Sequence, residues 1–309
     1  MHKLEQIKLE HIKELLQFDN LELIARFIVE GFITGLHKSP YHGFSVEFAE
    51  HRLYNIGEST RFIDWKLYAR TDKLFVKKFE AETNLRCQII IDISPSMLFP
   101  SQQKNKLLFS LYSASALIYL MRKQRDAVGL TLFSDDIDFH LDAKLNITHI
   151  GLIYSKLNSL LDVKNIKKSN RTFIANTLHL IAEKIHKRSL VVIFSDMFEY
   201  GNIDALFSAL QHLRHNKHEV ILFHTFDKNF EKNFEFSNRP YKFIDLETGE
   251  IFKLNPNQIR DLYKQKVQEY FDNIKLKSGQ YNIDFVEADI NNPFDFILMQ
   301  YLLKRQKLY

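Results

Sequence analysis

Apolar residues fall along the chain in two rhythms. Leu4, Ile7, Ile12, Leu15 and Leu16 recur at roughly helical spacing among Lys and Glu, which predicts an amphipathic first helix. Asp19 and Asn20 offer a cap for a second helical run over residues 21–32. From His37 to Glu82 the helical rhythm is lost. Pro40, Gly43 and Gly57 punctuate short stretches there, such as the alternating Phe44-Ser45-Val46-Glu47-Phe48, and Leu74-Phe75-Val76 resembles a short strand. After Asn84 the pattern becomes regular. Dense apolar runs at 87–91, 128–133, 190–194, 220–226 and 283–286 predict strands, and helical patterns occupy 103–124, 149–161, 174–187 and 203–215. A hairpin is predicted from Lys242 to Phe252, turning through Glu247-Thr248-Gly249. Asn255-Pro256 and Asn292-Pro293 each open a helix, with Asn as cap and Pro in the first turn, and Gly279 is expected to stop the first of these.

Short apolar strands separated by helices imply a mostly parallel sheet covered on both faces. The expected fold class is α/β, a doubly wound, Rossmann-like three-layer domain over residues 85–309. An accessory segment, helical and then β-rich, precedes it over residues 1–84. Composition supports a sizeable core: of 309 residues 45% are hydrophobic, and only 9 Gly and 6 Pro interrupt them. The 42 basic and 38 acidic residues nearly balance. Basic runs such as Lys164-x-x-Lys167-Lys168 and Lys184-x-x-Lys187-Arg188 are scattered over different elements, so no nucleic-acid face is expected. A single cysteine, Cys87, excludes an intramolecular disulfide and suits a reducing compartment, and within an apolar strand it reads as an inert core thiol. The longest uncharged stretch, Leu107 to Met121, is too short at about 1.5 Å per residue to cross a bilayer core of about 30 Å. A cytoplasmic protein without a membrane span is the expectation.

Two strand ends carry oxygen-rich side chains. One is Asp92-Ile93-Ser94-Pro95-Ser96, the other Ser195-Asp196, and Thr172 lies in the polar loop between them. In such sheets ligands bind beyond the carboxyl ends of the strands. Two carboxylates and three hydroxyls suit a hard cation such as Mg2+, and Ser94 and Ser96 can point the same way from an extended loop. Singly, Asp92, Ser94 and Thr172 read as helix caps, whereas their combined spacing favours a metal. A metal-assisted hydrolase of phosphoesters or peptides is the alternative use of the same residues. However, Ser94 stands where a phosphoryl-accepting enzyme usually has a second Asp, and no general base can be identified. Gly-x-Ser-x-Gly and GxxxxGK motifs are both absent. His212-x-x-His215-x-x-His218 reads as a solvated helix terminus rather than a zinc site, and Asp135-Asp136-x-Asp138 as an exposed hairpin tip.

Asp92-x-Ser94-x-Ser96, followed by Thr172 and Asp196, resembles the metal-ion-dependent adhesion site of von Willebrand factor type A domains. The resemblance implies that Ser94, Ser96 and Thr172 ligate Mg2+, with Mn2+ or Ca2+ as substitutes. Asp92 and Asp196 would act directly or through water, and an acidic side chain of a protein partner would complete the coordination. The run Glu47-Phe48-Ala49-Glu50-His51-Arg52-x-Tyr54-x-x-Gly57-Glu58-x-x-Arg61-x-Ile63-Asp64-Trp65, continuing through Ala69-Arg70-Thr71-Asp72-Lys73-Leu74, is similar to the signature of the bacterial family catalogued as domain of unknown function 58. Asp245 to Glu250 fits that family's late hairpin, and Glu58 replaces the usual Asp. The similarity extends over nearly the whole chain. It implies a partnership with a MoxR-type AAA+ ATPase, and with the metal motif a non-catalytic, Mg2+-dependent protein-interaction module for assembling or remodelling complexes. Arg52, Arg61 and Arg70 with Asp64 and Glu58, around Tyr54 and Trp65, form either an ion network that docks this segment or a partner surface.

Overall fold

The structure is a computed structural model and describes residues 20–36, 51–54, 65–77, 85–162, 174–198, 203–293 and 295–308. The expected first helix, the stretch 44–48, Gly57, Arg61, Asp64 and Thr172 lie outside the described residues. The chain divides into two compact units, one of Met1–Phe32 with Leu85–Tyr309 and one of Ile33–Asn84.

Helix α1 (Leu21–Leu36) starts where the Asn20 side chain accepts the Leu23 N–H at 3.2 Å. Leu21, Ile24, Ala25, Ile28, Val29 and Phe32 follow the helical period and are all buried. In the smaller unit, strand β1 (His51–Leu53) pairs antiparallel with β2 (Phe75–Lys77), and helix α2 (Trp65–Thr71) lies between them in sequence. The Tyr54 N–H donates to the Leu74 carbonyl at 2.8 Å and extends that ladder.

The larger unit continues as β3 (Arg86–Asp92), α3 (Lys106–Lys123), β4 (Ala127–Phe133), β5 (Ile137–Lys144), α4 (Ile147–Ser159), α5 (Ile174–Lys184), β6 (Leu190–Ser195), α6 (Ile203–His215) and β7 (Glu219–Phe226). A hairpin of β8 (Tyr241–Ile244) and β9 (Ile251–Leu254) follows, then α7 (Pro256–Gln280), β10 (Asp284–Asp289) and α8 (Asp295–Leu308). Among the described residues the main sheet has the order β10-β7-β6-β3-β4-β5, parallel throughout except for β5. The expected α/β class with a mostly parallel sheet flanked by helices is what forms.

Register explains why the central strands read as continuous apolar runs. Ile90 pairs with Ile193 and Ile193 with Leu222, and this row packs under Leu178, Ile181, Leu206, Leu210 and Ile274 of α5, α6 and α7. The opposite face is covered in part by α3, of which Leu107, Leu111, Leu117, Ile118 and Met121 are all buried. With no solvent face, strand residues of both parities must be apolar.

Two boundaries differ from expectation. The edge strand β5 is not among the expected strands, although Ile137, Phe139, Leu141 and Ala143 alternate strictly with Asp138, His140, Asp142 and Lys144, the pattern of a half-buried strand. Its hairpin with β4 does place Asp135 and Asp136 at the tip. Gly279 lies inside α7, and the reversal falls on Asn282, whose φ of 54° lies in the left-handed region.

The β4–β5 pairing contains a close approach. A Cβ on Gly129 would stand 2.6 Å from the Leu141 carbonyl oxygen and 2.7 Å from the Ala143 nitrogen, and would also strike the Gln88 amide. That amide is buried and donates to Thr131 Oγ1 at 2.9 Å and to the Leu141 carbonyl at 3.1 Å. Gly129→Ala is therefore expected to cost about 1–3 kcal/mol by forcing backbone apart. A urea midpoint equal to that of the parent protein would contradict this packing.

Candidate functional site

Beyond β3 the chain turns to one side of the sheet, through β4 and β5. From β6 it proceeds to the other side, through β7 and β10. The crevice at the carboxyl ends of β3 and β6 is thus the topological switch point, where such sheets bind ligands. Asp92 is the last residue of β3, Ser195 the last of β6, and Asp196 follows it.

Each side chain there has a defined partner. Asp92 is fully buried, and its Oδ1 accepts the Ser94 N–H at 2.9 Å while its Oδ2 accepts the Ser195 hydroxyl at 2.6 Å. Ser94 holds the N-cap position of the short 3-10 turn Pro95–Leu98 but makes no side-chain cap bond. Its hydroxyl instead lies 3.0 Å from that of Ser96. The cap reading of Ser94 therefore does not account for its hydroxyl. Asp196 Oδ1 accepts the Phe198 N–H at 3.2 Å, and its Oδ2 accepts from Lys106 Nζ at 2.8 Å. Lys106, at 2% exposure, also donates to Glu231 Oε1 at 2.5 Å. The other oxygen of Glu231 accepts the Asp227 N–H at 2.6 Å.

The loop after β6 is held in an uncommon shape. Met197 has φ of 54°, rare for a residue with a side chain. Its N–H donates to Ser195 Oγ at 2.9 Å, and the Tyr270 hydroxyl donates to its carbonyl. His224 on β7 donates through Nε2 to the Asp196 carbonyl at 2.8 Å. Burial pushes the pKa of that imidazole down to about 4, so it is neutral at physiological pH.

Electrostatics separate the two aspartates. Burial first, and repulsion from Asp196 second, push the Asp92 carboxyl up to about 7 against the hydrogen bonds it accepts. Burial would raise Asp196 as well, but the Lys106 ammonium outweighs it and holds Asp196 below the usual carboxylate range. For Lys106, burial disfavours the charge, and Asp196 and Glu231 more than reverse that. Burial leaves Glu231 above its ordinary range in spite of Lys106. With every group ionised, the Lys106 ammonium pairs with Asp196 and Glu231 while Asp92 stands beside Asp196, and two negative charges of these four groups remain unmatched among the described residues.

That remainder and the oxygen donors fit one small divalent cation. In an octahedron with bonds of about 2.05 Å, adjacent ligands stand about 2.9 Å apart. The Ser94 and Ser96 hydroxyls are 3.0 Å apart. Among the described residues no three or more His, Cys, Asp or Glu side chains converge as metal ligands. The donors here are hydroxyls beside two carboxylates, and Thr172 lies outside the described residues.

Sequence reasoning missed Lys106, Glu231 and His224, and named Ser195 at its strand end without a role. Lys106 had a signal, as a lone charge opening a helix that stays uncharged and largely buried until Arg122 and Lys123 in its last turn. Ser195 had one too, adjacent to Asp196 at the strand end. Glu231, on a turn beyond β7, had none. Of the signature residues, Trp65 is 60% exposed against Tyr68, Arg70 is exposed, and Tyr54 is half-buried. Glu58, Arg61 and Asp64, the other members of the expected ion network, lie outside the described residues. Arg52 stands opposite Val76 in the β1–β2 register.

Comparisons with known proteins give a family and relatives without a named activity. The chain is 23% identical over 176 residues to uncharacterized proteins of Mycobacterium bovis and Mycobacterium tuberculosis, covering 57% of this chain. The match spans 55% of those relatives, about half their length. Among solved structures, it is similar to the conserved hypothetical protein BatB from Bacteroides thetaiotaomicron, with 17% identity, a TM-score of 0.42, and 72% and 99% of the two chains covered. An aerotolerance-related membrane protein from Bacteroides fragilis gives 18% identity and a TM-score of 0.40, covering 71% and 99%. Residues 50–271 match the family described as "Protein of unknown function DUF58", and the chain belongs to that family.

Proposed function

We propose that this protein is a non-catalytic, Mg2+-dependent protein-binding module of the cytoplasm. Ser94, Ser96 and Thr172 would hold the ion, with Asp92 and Asp196 closing the site directly or through water. Mn2+ or Ca2+ can substitute in such an oxygen site. The observation that carries this reading is the serine pair at 3.0 Å beside a fully buried Asp92 that has no counter-charge among the described residues. When bound, the ion supplies a Lewis-acidic position that a partner's carboxylate can fill. The chain's own residues do the rest. Ser195 and the Ser94 N–H orient Asp92, Lys106 fixes Asp196, and His224 steadies the backbone that carries it. The resemblance seen in the sequence points to a MoxR-type AAA+ ATPase, or a protein it remodels, as partner. Among the described residues no helix is long and apolar enough to cross a membrane.

The test is affinity capture of a MoxR-type ATPase from native cells, with Mg2+ present or chelated, using the parent chain, Asp92→Ala and Ser96→Ala. Retention by the parent chain with Mg2+ alone is expected, with circular dichroism of the variants unchanged. Equal capture under all conditions would sink the metal-bridged mechanism. Metal-dependent turnover of a phosphoester or peptide, lost in Asp92→Ala, would replace it with the hydrolase.

A further inference from the structure

The histidines expected as a solvated helix end are disposed otherwise. Helix α6 stops at His215, and His218 turns inward, fully buried, to accept the Ser189 N–H on Nδ1 at 3.2 Å. His212 faces His179 of α5, with the two Nδ1 atoms 3.2 Å apart and the ring centres 5.4 Å apart. Both rings are half-buried and line an open cleft of about 580 Å³, together with Gln211, His215 and Tyr281. We infer that His179 and His212 form a two-histidine site for a divalent transition ion of the zinc class. It is independent of the oxygen donors at the strand ends.

Two neutral imidazoles facing through the same atom share a hydrogen bond only if one ring takes the Nδ1–H tautomer. If both rings take the Nε2–H tautomer, two lone pairs face one another, and a cation is what reconciles them. With bonds of about 2.05 Å, nitrogens at that spacing subtend about 103° at an ion, close to the tetrahedral ~109°. Imidazole selects Zn2+, Co2+, Ni2+ or Cu2+, whereas Mg2+ and Ca2+ prefer oxygen. The cleft leaves room for water at the remaining positions, so the ion would have two protein ligands, one fewer than an open zinc site usually has.

The two rings are carried by rigid elements. Leu178 precedes His179, Leu213 follows His212, and both leucines are fully buried in the core shared by α5, α6 and the sheet. His218, which shares the three-residue spacing of His212 and His215, takes no part, and the second ring comes from the neighbouring helix. An ion held here would cross-link α5 to α6.

The full chain is titrated with Co2+ in excess Mg2+, which keeps oxygen sites filled, and visible absorption is read. The expected result is one Co2+ with the intense bands of tetrahedral nitrogen ligation, displaced by Zn2+. His179→Gln and His212→Gln should each weaken binding at least about tenfold, the lower bound for losing even an outer-sphere partner. Both variants are checked for the parent's unfolding midpoint in chelator. Absence of Co2+ uptake by the parent chain, or affinity unchanged in both folded variants, overturns the assignment. Neither outcome bears on partner capture through Asp92.

Discussion

Lys106→Met is expected to lower the free energy of unfolding by about 3–5 kcal/mol, the range for breaking a buried ion pair by removing one partner. The ammonium is 2% exposed and shared between Asp196 at 2.8 Å and Glu231 at 2.5 Å. Without it, burial dominates at both carboxylates, which must then protonate or draw in water. The helix gains little in return, although a cation in the first turn of α3 opposes the helix dipole. Urea denaturation with an unchanged m-value measures the loss. Because the groups form one network, Lys106→Met combined with Glu231→Gln should cost less than the separate losses added. A destabilisation below about 1 kcal/mol would mean that the cluster is better solvated than its burial indicates.

Asp92→Asn, with an effect opposite in sign, is expected to stabilise the protein in chelator at pH 8. The gain should be on the order of 2–4 kcal/mol. Its carboxyl rises from 3.8 to about 7 in the fold. Between those values the folded state binds more protons than the unfolded one. Stability is therefore complete below pH 3.8 and falls as pH rises through 7. An amide removes the buried charge. Its oxygen can accept the Ser94 N–H, and its NH2 group can donate to Ser195 Oγ, whose hydroxyl then turns away. The difference between variant and parent should vanish near pH 4, grow up to about pH 7 and stay level above it. An Asn variant less stable than the parent at pH 8 would show that the charge is already compensated. Added Mg2+ should stabilise the parent alone.

These opposite effects come from neighbouring carboxylates, and they mark what could be read in the sequence. The strand ends were legible, because runs such as Cys87 to Ile91 show apolar residues on both parities and the polar residue that ends each run stands out. Asp92, Ser94, Ser96 and Asp196 could be named for that reason. The pairing of Lys106 with Glu231 could not, since it joins positions 125 residues apart and depends on where a turn after β7 delivers its side chain. Strand β5 escaped for a different reason. Its apolar Ile137, Phe139, Leu141 and Ala143 alternate with Asp138, His140, Asp142 and Lys144, a legible edge-strand signal that reading the preceding aspartates only as a hairpin tip passes over. The histidine pair needed the packing of α5 on α6, which spacing within one helix does not encode.

The mutual hydrogen bond of Ser94 and Ser96, and the two bonds that fix Asp92, have one more consequence. Side-chain freedom at these positions is surrendered when the chain folds, before any ligand arrives. Little ordering is left to oppose capture, so association there should resemble a key entering a cut lock rather than a loop closing on its guest. Selectivity would then reside in the spacing of rigid oxygens, and a cation too large for that spacing must either strain β3 and β6 or bind with part of its water still attached.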